Sequence, residues 1–276
     1  MRAAVLQLTS SDDPLANLPV TLAMVDDAVA QGADLICTPE VTNCVSSSRR
    51  RQQEVLCHEA DDPTLAAFRE AAARHGKHLL LGSIGLKTND PDGRFANRSF
   101  VIDPQGEIIA RYDKIHMFDV QLSETETYRE SAGYRPGSVS VLAETALAKI
   151  GLTICYDVRF PHLHRGLAKT GAQIITVPAA FSPGTGPAHW QPLLQARAIE
   201  TGAFVLAPAQ CGTHAATEGR KRSSHGHSLV VSPWGEVLAD GGVAPSVITV
   251  DLDLADVDDA RQKIPALTHD RPFEGP

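Results

Sequence analysis

The segment Gly151-Leu152-Thr153-Ile154-Cys155-Tyr156-Asp157-Val158-Arg159-Phe160-Pro161 carries an apolar run straight into a cysteine, then into polar residues and a helix start. A thiol at the carboxyl end of a strand stands where open α/β sheets form their ligand crevices. Next to the N–H groups of a helix start, its pKa is expected to fall from about 8.5, which favours the nucleophilic thiolate. The plainer reading, a small buried apolar residue, is kept for Cys37, Cys44, Cys57 and Cys211. Glu40 ends the run Asp34-Leu35-Ile36-Cys37-Thr38-Pro39-Glu40. A carboxylate at such a strand end can act as a general base or simply cap the next segment. Lys114 follows a further strand in Arg111-Tyr112-Asp113-Lys114-Ile115-His116, and alone it reads as a solvated surface charge. Taken together, a cysteine, a carboxylate and a lysine supply a nucleophile, a proton carrier and an oxyanion partner.

The remaining composition narrows the setting. With 276 residues, 43% apolar and 21% charged, the chain lies in the globular range and away from disordered compositions. A net charge of −8 disfavours nucleic acid and anionic membranes as partners. No apolar run reaches the ~18 residues of a spanning helix, and the first residues pass into a strand without a signal-peptide pattern, so a soluble, cytoplasmic protein is expected. The five cysteines are odd in number and form no C-x-x-C pair, as expected of reduced thiols. No phosphate loop, H-E-x-x-H, G-x-S-x-G or complete G-x-G-x-x-G occurs, and nothing in the sequence calls for a metal or cofactor.

The elements that must position these residues alternate between short apolar strands and helical patterns, an α/β arrangement. Helices are predicted over Asn17–Gln31, Thr64–His75, Pro161–Thr170 and Ala188–Thr201. Asp62-Pro63 and Gly76 give the second of these a clear start and stop. An internal repeat says more than any single element. Ser99–Arg111 returns as Ser228–Asp240 with six of thirteen positions identical, each a strand, a Pro-x-Gly turn and a strand. Upstream, Gly32–Ile36 parallels Gly171–Ile175, and Gly76–Leu81 parallels Gly202–Ala207. Each half alone would leave one sheet face bare, so the two sheets should pack together with helices outside. The expected fold is a four-layer α-β-β-α sandwich with a pseudo-twofold repeat. It forms a single domain over 1–276, with halves at about 1–145 and 146–253 and an extension over 254–276.

Pro39-Glu40, then Tyr112-Asp113-Lys114-Ile115-His116, then Gly151–Pro161, in this order and spacing, resemble the nitrilase superfamily of carbon–nitrogen hydrolases. Gly186–Trp190, Ala196–Glu200 and Gly226–Glu236 narrow the resemblance to the Nit amidases, and it covers Ala3 to about Pro265. The resemblance implies the same α-β-β-α fold, with Cys155 as nucleophile, Glu40 as general base and acid, and Lys114 as oxyanion partner. It adds a second glutamate, which falls on Glu130 rather than its neighbours Glu124 and Glu126 because of the distance to Pro136-Gly137. It also implies a homodimer, or a multiple of one, paired through Pro161–Thr170 and Ala188–Thr201.

On this reading the enzyme hydrolyses a linear amide in a carboxylate-bearing small molecule, releasing ammonia through a cysteine thioester. Arg159 is the expected grip on the carboxylate. The Tyr156 N–H joins the oxyanion site, and Thr185, His189 and Trp190 are expected to line the pocket. Cys155-Tyr156-Asp157 resembles the amide-hydrolysing branch more than true nitrilases, and Ala209–His214 resembles deaminated glutathione amidases more than omega-amidases. His225 departs from the aromatic residue often found before Gly226-His227. Omega-amidase action on 2-oxoglutaramate or succinamate, N-carbamoyl amino acid hydrolysis, and a non-catalytic binding role on the same fold remain the alternatives.

Overall fold

The strand Arg2–Gln7 (β1) is buried along nearly its whole length, as a strand covered on both faces must be. Its side chains alternate in period two. Ala4 and Leu6 join a core with the helix residues Val25, Ala28, Phe68 and Ala72, whereas Ala3 and Val5 join a core shared with the second half of the chain. This alternation sets the layering. The structure, a computed structural model, describes residues 1–124 and 126–275.

The first half continues with α1 (Pro14–Ala30), β2 (Leu35–Cys37), α2 (Arg49–Val55), α3 (Pro63–His75), β3 (His78–Leu86), β4 (Ala96–Ile102) and β5 (Ile108–Asp113). A small hairpin of β6 (Asp119–Gln121) and β7 (Thr127–Arg129) follows. The second half holds β8 (Val141–Glu144), β9 (Lys149–Leu152), α4 (Pro161–Lys169), β10 (Ile174–Thr176), α5 (Gly186–Thr201) and β11 (Phe204–Ala207). It ends with β12 (Cys211–Thr213), β13 (Ser223–His225), β14 (Leu229–Val231), β15 (Val237–Asp240), β16 (Ser246–Asp251) and α6 (Ala255–Lys263).

Two six-stranded sheets form, ordered β16-β1-β2-β3-β4-β5 and β15-β14-β11-β10-β9-β8. In the first, β1, β2 and β3 are parallel and β3, β4 and β5 antiparallel; β9, β10, β11, β14 and β15 repeat the pattern in the second. The α-β-β-α sandwich and its internal repeat are therefore as expected. Two strands cross the predicted division between halves. β16 pairs with β1 in the first sheet, while β8 leaves the first half to pair with β9. Each fills the vacant edge beside its sheet's first parallel strand. In the extension beyond 253, α6 buries Val257 and Ala260, and Arg261 donates to the carbonyls of Thr201 at 3.1 Å and Ala172 at 2.6 Å.

Local chemistry explains the element ends. Asp62 accepts from the Leu65 N–H at 2.9 Å at the start of α3, and Gly76 closes that helix at φ 62°. Such an N-cap contributes about 1 kcal/mol. Gly82 of β3 allows the chain leaving β2 to lie directly on the strand, since a Cβ there would meet the Thr38 carbonyl oxygen at 1.7 Å. Among the described residues no helix is long and apolar enough to cross a membrane.

Candidate active site

Three segments converge beyond the ends of β2, β5 and β9. They bring Glu40, Lys114 and Cys155 together, although 74 positions separate the first two. The turns that aim these side chains are strained. Cys155 has φ 50° and Val41, next to Glu40, φ 48°. Left-handed backbone costs a non-glycine residue roughly 1–2 kcal/mol and collects at functional sites. Neighbouring hydrogen bonds hold both turns. The Cys155 N–H donates to Pro178 O at 2.9 Å, and the Val41 N–H to Ser83 Oγ at 2.8 Å.

Lys114 Nζ donates to Glu40 Oε1 at 2.9 Å and to Glu130 Oε1 and Oε2 at 2.9 and 2.8 Å. Glu40 Oε1 also accepts from Asn97 Nδ2 at 2.9 Å, and Oε2 from the Ala180 N–H at 2.8 Å. Glu130 Oε2 takes the Phe118 N–H at 2.6 Å. Lys114 is 2% exposed and Glu40 5%, so these charges hold one another in place of water. Removing one member of such a set leaves an uncompensated buried charge.

The charge states follow from this packing. Burial pushes the Glu40 carboxyl up, but Lys114 and the hydrogen bonds it receives outweigh burial and hold it below the usual carboxylate range. Burial opposes the charge on Lys114 too, yet Glu130 and Glu40 raise it well above an ordinary lysine. For Cys155, burial first and the Glu40 charge second push the thiol well up, against the weaker pull of Lys114. This reverses the lowered thiol pKa expected from sequence. The helix start after Cys155 is only a five-residue 3₁₀ turn, Cys155–Arg159, and a carboxylate from a distant segment faces the sulfur. The resting set is an ionised carboxylate, a charged lysine and a neutral thiol. A neutral thiol needs a proton acceptor to become a nucleophile, and the Glu40 carboxylate faces it.

Asp157 ties the cysteine turn to the lysine segment. Fully buried, it accepts from Tyr112 Oη at 2.6 Å, the Ile154 N–H at 2.9 Å and the His116 N–H at 3.0 Å, and its Oδ1 lies 2.6 Å from His116 Nδ1. His116 in turn stacks on Phe160 with ring centroids 3.5 Å apart.

A cleft of about 610 Å³ opens above Cys155, Glu40 and Lys114. Of the residues expected to bind substrate, Tyr156 and Thr185 line it. The Thr185 hydroxyl is buried with no hydrogen-bond partner among the described residues. Arg159, His189 and Trp190 lie outside the lining, and the reasons differ. A 3₁₀ turn has three residues per revolution, so Arg159 is rotated away from Cys155 and eclipses Tyr156. Its guanidinium lies 5.9 Å from the Tyr156 ring centre, 5.5 Å from that of Phe181, and 3.2 Å from Nδ1 of the exposed His189. Trp190 is 1% exposed, donates to His227 O at 2.7 Å and packs on Phe181. His225, also outside the lining, packs against Gly186 at the start of α5.

The sequence reading missed other lining residues. Asn97 reaches Glu40 from β4, and four arginines line the cleft: Arg49 from the start of α2, Arg129 from β7, and Arg220 and Arg222 from the segment entering β13. No periodicity or motif singles these positions out.

Comparison with known proteins fits this geometry. The family model for carbon-nitrogen hydrolases matches residues 2–262. A protein of Yersinia enterocolitica named deaminated glutathione amidase is 38% identical over 97% of this chain and 92% of its own. The C. elegans NitFhit structure superposes with a TM-score of 0.90 at 34% identity; the match covers 98% of this chain and 65% of that longer one. A mutant of the amidase from Nesterenkonia sp. AN1, carrying acrylamide added at its active-site cysteine, superposes with a TM-score of 0.77 at 27% identity over 96% of this chain and 98% of its own. Because the family match spans both sheets and every segment that brings a charged group to Cys155, the chain belongs to the carbon-nitrogen hydrolase family, within the nitrilase superfamily, and is an enzyme that hydrolyses amides.

Proposed function

We propose that this protein hydrolyses a linear amide in a carboxylate-bearing small molecule through a thioester on Cys155, with deaminated glutathione as the substrate type. One observation carries the assignment of roles: the Lys114 ammonium is clamped between two carboxylates, one of which faces the Cys155 thiol. Glu40 takes the thiol proton as sulfur attacks the amide carbon. Lys114 and the Tyr156 N–H stabilise the oxyanion. The C–N bond then breaks as Glu40 returns the proton to the departing nitrogen, and Glu40 next activates the water that hydrolyses the thioester. Glu130 holds Lys114 in place. The names of relatives such as the Yersinia enterocolitica protein support the substrate type.

The leaving group depends on that substrate. Ammonia departs from a primary amide, but the amides of a glutathione skeleton are secondary, so the product is an amine. The size of the cleft supports the larger substrate. Product analysis separates the readings. Deaminated glutathione should yield a peptide amine, 2-oxoglutaramate and succinamate would yield ammonia, and N-carbamoyl amino acids would yield carbon dioxide with ammonia. Faster turnover of either of the last two classes would displace the proposal. The reading also includes a homodimer paired through α4 and α5, and the apolar Ile199 exposed on α5 supports it. A monomeric mass at all concentrations in sedimentation would count against it.

A further inference from the structure

The chain is acidic overall, yet its cleft is lined by Lys114 and four arginines against only Glu40 and Glu130. Lys114 is fully engaged by those two carboxylates, so the arginines are the excess. They are not alike. Arg49 donates to Gly133 O and Gly93 O, both at 2.6 Å, and lies over the Phe95 ring. Arg129 is exposed and bonds to Tyr128 O. Arg222 is half-buried, and its guanidinium has no hydrogen bond or ion pair among the described residues. Acids nearby in sequence or in the cleft are engaged elsewhere. Glu218 pairs with Arg50 at 2.5 Å and accepts from Ser48 Oγ at 2.8 Å, and Glu126 accepts from Tyr128 Oη at 2.8 Å. Arg222 lines the cavity together with Cys44, Tyr128 and Tyr134.

A partly desolvated guanidinium without an anion is unfavourable until one arrives, and its planar fork suits a carboxylate. We propose that Arg222, with Arg220 two positions earlier on the chain entering β13, binds a substrate carboxylate remote from the scissile carbonyl. This places a carboxylate grip at Arg222 in addition to the position expected at Arg159, which lies behind the lining with its guanidinium over the rings of Tyr156 and Phe181. It rests on the reading of Cys155 as the nucleophile of this site. The carboxylate can belong to the acyl portion, and so remain on the thioester, or to the amine portion, and leave with it.

The test uses Cys155→Ala protein, so that binding is read without turnover, and four ligands titrated by calorimetry. N-butanoylglycine is compared with N-propylbutanamide for the amine side, and glutaramate with butanamide for the acyl side. Adding Arg222→Gln should weaken binding of at least one acid by about tenfold or more, while its neutral counterpart changes by less than about twofold. Loss on N-butanoylglycine assigns the carboxylate to the amine portion, and loss on glutaramate to the acyl portion; either supports the proposal. Arg222→Lys, which keeps the charge without the fork, should give an intermediate affinity. Unchanged affinity for both acids, equal losses on acid and neutral ligands, or no binding of either acid would each overturn it. Turnover retained by Cys155→Ala would instead overturn the nucleophile assignment, and the binding result would stand.

Discussion

The two halves of the molecule share a scaffold but not a chemistry. β2 leads to Glu40, whereas its counterpart β10 leads to Ala179 and Ala180; β5 leads to Lys114, whereas β15 leads to Gly241 and Gly242. β9 leads to Cys155, whereas β1 leads to neutral, hydrogen-bonded residues. Gln7 Nε2 donates to the carbonyls of Gly241, Gly242 and Ala244 at 2.7–3.0 Å, its Oε1 accepts from the Ser228 N–H at 2.7 Å, and the Ser10 N–H donates to Gln210 Oε1 at 3.0 Å. The same strand ends thus hold buried charges beside an unspent thiol on one side and paired amides on the other. The sides are not independent, because the Ala180 N–H supplies a hydrogen bond to Glu40. Position on the scaffold creates an opportunity for chemistry, and residue type decides whether it becomes a reactive site or structural glue.

The sharpest break between the two sides is the thiol. Cys155→Ala should reduce turnover to background with little change in Tm, and Cys155→Ser should behave alike. A thiol alkylator followed by peptide mapping should find Cys155 modified before the other cysteines. Activity that survives full modification of Cys155 would end the comparison. The raised folded-state pKa has a second readout. Unfolded thiols ionise near ~8.5 while this one stays neutral, so its contribution is intact below that pH and stability declines as pH rises above it. Cys155→Ala should lessen that slope by one thiol's share in denaturant titrations at pH 8 to 10, the other four thiols, also raised by burial, keeping the rest.

Glu40→Gln keeps the volume and removes the proton acceptor, so kcat/KM should fall by about 10²–10⁴. In the wild type the folded carboxyl lies below its unfolded value. Its stabilising contribution is therefore present above about pH 4.3 and lost as pH falls through the lower folded value. The glutamine variant should lack that acid-side loss. Wild-type turnover in Glu40→Gln at neutral pH would move the base to Glu130.

On the neutral side the expected effects reverse. Gln7→Ala should leave the buried Ser228 N–H without its acceptor, while the part-buried Gly241 and Gly242 carbonyls keep the Ser246 hydroxyl and the His227 N–H, costing roughly 1–3 kcal/mol. kcat should hold in the fraction that remains folded. Urea unfolding together with active-site titration separates the two quantities, and a loss of kcat without loss of stability would mean that the neutral side takes part in the chemistry.

The repeat made the fold legible, since two hairpins with the same turn and spacing fix where the sheets must lie. Glu40, Lys114 and Cys155 were legible as strand-end residues whose types stand out from their surroundings. What escaped depended on contacts between distant segments. The raised thiol pKa comes first from burial in the assembled fold and then from a carboxylate 115 positions away, neither of which a local pattern reveals. The β8 and β16 exchanges needed knowledge of which sheet edge was vacant. Arg222 lies on the irregular segment entering β13, whose sequence carries no period, and it stands out only by lacking a partner among the described residues.

Arg159 gives the finest separation. Local sequence places it four residues after the nucleophile, as if to reach the substrate, but the 3₁₀ turn sets it on the rings of Tyr156 and Phe181 at 5.9 and 5.5 Å. Partly exposed contacts of this kind contribute about 0.5–1 kcal/mol. Arg159→Ala should therefore lower stability by about that amount. It should reduce kcat/KM for a carboxylate-bearing amide and for its neutral counterpart by similar small factors, through looser placement of Tyr156. Arg222→Gln should change the two substrates unequally. Measuring both substrates with both variants tests the assignment of roles directly: a defect of Arg159→Ala confined to the charged amide would return the carboxylate grip to Arg159 and require the turn after Cys155 to rearrange when substrate binds.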